Sequence, residues 1–89
     1  MTWKIELSEH AHRDLDKLDP QARRRIYGFL FGRLATLEDP RATGSALHGS
    51  KFGECWKYRV GDYRLICKIE DARLLVLVLR VGPRRDIYR

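Results

Sequence analysis

Long apolar runs are missing from this 89-residue chain: the longest aliphatic stretch, Leu74 to Leu79, has six residues. A membrane-crossing helix needs about 20, so no membrane association is expected. Cysteine is scarce. Cys55 and Cys67 are too few for a secreted disulfide scaffold and lack zinc-ligand spacing; they are expected as small buried hydrophobes in a reducing cytoplasm. Met1-Thr2-Trp3-Lys4 leads into an alternating strand pattern instead of a secretory leader, which points to a cytoplasmic protein. The usual catalytic sets are also absent. His10 and His12 stand two apart on a helical pattern and diverge, and His48 is remote in sequence. No paired carboxylates flank a plausible cleft, and no glycine-rich phosphate loop precedes a helix. No histidine base adjoins a serine or cysteine nucleophile in the expected fold. No metal or cofactor is expected.

What the chain has in excess is positive charge. The formal net charge is +6 and the sequence pI about 9.7, which favours an acidic partner. The excess is uneven: residues 1–50 carry 8 basic and 7 acidic side chains, and residues 51–89 carry 10 and 5. The second half is therefore where an anion is expected to bind. Hydrophobic content of 44% suits one folded domain spanning residues 1–89.

Hydrophobic periodicity predicts the elements. Trp3, Ile5 and Leu7 alternate with Lys4 and Glu6, a first strand. Ser8 then caps a helix with Ala11, Leu15 and Leu18 on one stripe. Asp19-Pro20 predicts a break and a restart, with Asp19 as N-cap and Pro20 in the first turn. The second helix is expected to reach about Glu38, burying Ala22, Ile26, Phe29, Leu30, Leu34 and Leu37. A loop from Asp39 to Phe52 follows, anchored by Leu47. Strands are predicted at about 54–60, 63–69 and 74–81. The last is apolar from Leu74 to Leu79, as in a strand covered on both faces. The fold class is α+β in the order β-α-α-β-β-β, two helices packing on one face of a small, mostly antiparallel sheet.

The hairpin carries the clearest functional signal. Trp56, Tyr58 and Val60 alternate with Lys57 and Arg59, Gly61-Asp62 turns, and Tyr63 and Leu65 flank Arg64. Glycine first in a two-residue turn predicts type II′. In that register Val60 faces Tyr63, Arg59 faces Arg64, Tyr58 faces Leu65, and Trp56 faces Cys67. The cysteines are expected near one another across the hairpin. Opposed like charges weaken a sheet by roughly several tenths of a kcal/mol. A fold that keeps such a pair is expected to use it on an anion, nucleic-acid phosphate above all. Gly82-Pro83 ends the last strand and places Arg84, Arg85 and Tyr88 beside the hairpin. Lys57, Arg59, Arg64, Arg84 and Tyr88 then form a candidate catalytic set. RNA supplies its own nucleophile, the 2′-hydroxyl. Arginine forks match phosphate oxygens and stay charged in the transition state. A positive surrounding favours the neutral amine and the ionised phenol. A face that only binds nucleic acid is the alternative; it predicts steep salt dependence without cleavage.

The element order, the Trp56-Lys57-Tyr58-Arg59 strand, the Gly61-Asp62-Tyr63-Arg64-Leu65 turn, and Val81-Gly82 followed by Arg84-Arg85-Asp86-Ile87-Tyr88 resemble the RelE toxins of bacterial toxin–antitoxin pairs. The resemblance spans nearly the whole chain. It implies the RelE-like microbial RNase fold and a ribosome-dependent endoribonuclease. Such an enzyme cuts mRNA in the A site, leaving a 2′,3′-cyclic phosphate. By this resemblance Lys57 matches the candidate base and Arg59 a second basic position. Arg64 and Arg84 match phosphate-stabilising arginines, and Tyr88 the tyrosine that orients the substrate. Arg23, Arg24, Arg25, Lys51 and Arg85 are candidates for contact with RNA or the ribosome. The implied partners are a cognate RelB-like antitoxin, the ribosome with its 16S rRNA, and mRNA; operator DNA is met only through the antitoxin complex. Pro83 stands where relatives often carry histidine or lysine, and the chain ends at Arg89, leaving little C-terminal helix. The rival reading is a ParE-like inhibitor of DNA gyrase with the same fold and no RNase activity.

Overall fold

A computed structural model describes residues 2–48 and 54–87. Strand β1 (Lys4–Leu7) leads into helices α1 (Glu9–Asp16) and α2 (Pro20–Gly32). A short edge strand β2 (Ser45–Leu47) follows, then β3 (Cys55–Val60), β4 (Tyr63–Glu70), β5 (Leu75–Pro83) and a one-turn helix α3 (Arg84–Ile87). The strands form one five-stranded sheet in the order β1-β5-β4-β3-β2. β1 runs parallel to β5, and every other pair is antiparallel. The expected α+β plan holds, with β2 and α3 as additions. Among the described residues no helix is long and apolar enough to cross a membrane.

Both helix starts follow from their caps. Ser8 Oγ accepts from Ala11 N–H at 3.0 Å and also donates to the Leu79 carbonyl at 3.0 Å, so one hydroxyl caps α1 and ties it to β5. Asp19 Oδ1 accepts from Ala22 N–H at 2.9 Å, with Pro20 in the first turn of α2. The second helix stops six residues before the expected Glu38. The backbone leaves the helical region at Arg33 (φ −125°, ψ −60°), and Leu34–Thr36 form a 3₁₀ turn. In a 3₁₀ turn residues i and i+3 eclipse, so Leu34 and Leu37 share a side there as they would in an α-helix.

The main core lies between the helices and one sheet face, where Leu15, Ile26, Leu30 and Leu34 meet Tyr58, Leu65, Cys67, Val76, Val78 and Val81. The other face holds a smaller cluster of Cys55, Ile66 and Ile87, flanked by Leu47 and Leu79. Ile87 is 4% exposed, and burying such a side chain stabilises α3 on this face by about 1.5–3 kcal/mol. Leu47 anchors its segment as expected, although that segment is a strand and not a loop. The cysteines divide between the two clusters. They are neighbours in register but face opposite sides of the sheet, and no disulfide joins them. Burial pushes both thiols above their usual range, Cys67 the further.

One polar group penetrates the helix–sheet layer. Asp14 of α1 is buried, and its Oδ2 accepts from Arg80 Nε and from Val81 N–H, each at 2.9 Å. A bulge makes this possible. Ile66 pairs with Arg80 and Cys67 with Val78, which leaves Leu79 over and re-aims the end of β5. That end delivers Gly82, Pro83 and Arg84 to the hairpin.

Candidate functional site

The hairpin adopts the register that its alternation predicts. Trp56 pairs with Cys67, Tyr58 with Leu65, Arg59 with Arg64 and Val60 with Tyr63. Gly61 has φ +60°, and Leu74 is the one non-glycine residue with positive φ among those described, so the turn is of type II′. Trp56, Tyr58 and Val60 face the helices. Lys57 and Arg59 face the other side, with Arg64 opposite Arg59.

The opposed arginines share an acceptor. Arg59 Nε donates to the Gly61 carbonyl at 3.4 Å, and Arg64 Nη1 donates to the same oxygen at 3.3 Å and to the Tyr63 carbonyl at 3.1 Å. The turn carbonyl thus offsets part of the repulsion and draws both guanidinium groups to the hairpin tip. Arg84 arrives by backbone geometry. Arg64 pairs with Gly82 across β4 and β5, and the Arg84 N–H donates to the Asp62 carbonyl at 3.1 Å. Ser45 stands opposite Lys57 across β2 and β3.

Lys57, Arg59, Arg64 and Arg84 together line an open cleft of about 390 Å³, with Gly44, Ser45 and Tyr58 as further walls. Among the described residues no carboxylate lines it. Two other clefts are lined by acids, Glu54 in one and Asp14 and Asp86 in the other. Among the described residues, Arg59, Arg64 and Arg84 make no ion pair. Such a concentration of donors, with the three arginines unpaired among the described residues, suits a phosphate ligand.

Gly44 and Ser45 are the site positions that the sequence did not single out. Three buried or half-buried aromatics hold their loop: Trp3 Nε1 donates to Glu38 O at 3.0 Å, Trp56 Nε1 to Thr43 O at 2.6 Å, and Tyr58 Oη to Pro40 O at 2.7 Å. Outside, Arg41 grips Asp71 through two 2.9 Å bonds, and this contact holds the Asp71 carboxyl below the usual carboxylate range. The loop is pressed so close that a methyl group on Gly44 would collide with the Lys57 carbonyl and sit 2.8 Å from Trp56 Nε1. With φ +78° as well, this position requires glycine. Tyr58 lines the cleft but is no base, because burial drives its phenol well above the ordinary range and its proton is committed to Pro40.

The peripheral candidates scatter. Arg24 is exposed and Arg23 half-buried on α2, and neither lines the cleft. Arg25 lies against Gly61. Arg85 is exposed on α3, outside the cleft walls. Tyr88 and Lys51 fall outside the described residues. Among those described, no three His, Cys, Asp or Glu side chains form a metal-holding group.

Fold and site define a small α+β protein that presents lysine and arginines on the open face of its sheet. A sequence model of the family described as ParE toxin of type II toxin–antitoxin system, parDE, matches residues 5–88. Toxin RelG of Mycobacterium tuberculosis is 36% identical over 89 residues, covering 100% of this chain and 99% of that protein. The mRNA interferase toxin RelE of Escherichia coli K12 is 27% identical over 92 residues, covering 99% and 92%. Among solved structures, the RelBE2 toxin–antitoxin complex of M. tuberculosis aligns with a TM-score of 0.84 at 31% identity, over 97% of this chain and 95% of that one. The chain belongs to the RelE/ParE family of type II toxins.

Proposed function

We propose that this toxin is a ribosome-dependent endoribonuclease that cuts mRNA in the A site. The observation that carries the reading is the convergence of Lys57, Arg59, Arg64 and Arg84 on one cleft that no carboxylate lines among the described residues. The mRNA interferase name of the E. coli relative supports it. In the proposed reaction the RNA 2′-hydroxyl oxygen bonds to phosphorus and gives its proton to Lys57. The bond from phosphorus to the 5′-oxygen breaks. Arg59, Arg64 and Arg84 stabilise the charge that builds on the non-bridging oxygens. Tyr88 orients the nucleotide and passes a proton to the departing 5′-oxygen. The products are a 2′,3′-cyclic phosphate and a 5′-hydroxyl.

A cognate RelB-like antitoxin is the proposed regulator, a reading supported by the likeness to the RelBE2 complex. The rival reading, a ParE-like inhibitor of DNA gyrase, is not favoured by relatives named toxin RelG and mRNA interferase RelE. Expression in bacterial cells separates the two. Translation arrest with codon-associated mRNA ends in primer extension is the expected result. Continued translation with supercoiling defects would establish the gyrase reading instead.

A further inference from the structure

The hairpin tip is where the two layers of the molecule meet. Arg59 and Arg64 reach the Gly61 carbonyl from the open face of the sheet, at 3.4 and 3.3 Å. Arg25 reaches the same residue from α2, whose Ile26 and Leu30 belong to the core on the covered face. A methyl group built on Gly61 would lie 3.0 Å from Arg25 Nη2, 3.2 Å from Nη1 and 3.3 Å from Cζ. The two terminal nitrogens are the nearest atoms, so the donor end of the guanidinium group rests against the glycine. The missing side chain is what makes room for it.

Arg25 is exposed, and among the described residues it makes neither an ion pair nor a side-chain hydrogen bond. Asp62, the other turn residue, ion-pairs with none of the three arginines. Three guanidinium groups therefore surround one turn with no ion-pair partner among the described residues, an arrangement that like-charge repulsion opposes. An anion bound there removes the opposition, and planar donors from two sides suit a phosphodiester.

We propose that the Gly61 turn carries a second phosphate subsite, in which Arg25 acts with Arg59 and Arg64. It grips the phosphodiester adjacent to the scissile one. The inference rests on the nuclease reading for its substrate, and it separates Arg25 in role from Arg23 and Arg24. A strand leaving the cleft over the hairpin tip presents its neighbouring phosphate to Arg25.

The test is a cycle between protein and RNA charge. A short single-stranded RNA with a 2′-deoxy scissile nucleotide is bound to the full chain at low salt, with one linkage at a time neutralised as a methylphosphonate. Arg25→Gln is expected to weaken binding about tenfold, as loss of a charged hydrogen bond does. The salt slope should shrink by about 0.7, the value for one single-strand phosphate. Neutralising the linkage beside the scissile one should weaken the wild type similarly, yet weaken Arg25→Gln by less than about twofold, the limit of additivity for independent sites. Arg13→Gln, the same charge change on α1, should leave that linkage's full effect in place. Additive losses at every linkage, coupling at the scissile linkage alone, or no measurable wild-type binding would overturn the subsite. Cleavage of ribosome-bound mRNA by the wild type, measured in parallel, reports on the nuclease reading separately. Coupling without cleavage sinks that reading and keeps the subsite, whereas cleavage with additive losses does the reverse.

Discussion

Arg64→Ala is expected to lower mRNA cleavage by about 10²-fold or more, the usual cost of removing one preorganised donor from a developing negative charge. The same change should leave the fold intact and raise its stability by a few tenths of a kcal/mol, because it relieves the direct opposition to Arg59. Opposite signs for activity and stability distinguish a residue kept for chemistry from one kept for packing. Arg84→Ala should cost cleavage similarly. Its position is set by its own backbone N–H on the Asp62 carbonyl, which alanine retains, so thermal stability should change by no more than about 0.5 kcal/mol. Single-turnover cleavage on programmed ribosomes, paired with thermal unfolding, checks both variants. Unchanged rates in both would remove the assigned roles.

The second large effect lies away from the cleft. Asp14→Ala should destabilise the protein by about 3 kcal/mol, since it strips the partner from a half-buried arginine and leaves the buried Val81 N–H without an acceptor. At about 4–8 °C per kcal/mol for a domain of this size, the unfolding midpoint should fall by at least about 12 °C. Activity should suffer as well, because Asp14 fixes the end of β5 that carries Arg84 to the hairpin. Asp14→Asn keeps one acceptor oxygen and should fall between. A midpoint within about 2 °C of wild type for Asp14→Ala, equivalent to less than 0.5 kcal/mol, would show that the contact adds little.

The parts legible in the sequence are those that local chemistry decides. Strict alternation around Gly61-Asp62 fixed the hairpin register residue by residue, and with it the pairing of Arg59 with Arg64. Ser8, Asp19 and Pro20 announced both helix starts for the same reason. What stayed hidden depends on distant chain. Leu34 and Leu37 continue the apolar stripe of α2 although the helix has ended, since 3₁₀ and α spacing agree over one turn. Ser45–Leu47 shows no alternation and is a strand through its pairing with β3. Asp14 reads as one more helix-surface acid until β5 brings Arg80 to it from 66 residues away. Arg25 reads as part of a basic run until α2 docks and sets it over Gly61.

The most direct trial of the central claim uses purified toxin, ribosomes programmed with a defined mRNA, and a matched mRNA with a single 2′-deoxynucleotide at the cut position. The cation cleft predicts a 2′,3′-cyclic phosphate at the new end of the first mRNA and no cut in the second. Cleavage that survives loss of that 2′-hydroxyl, or intact mRNA in both cases, would contradict it.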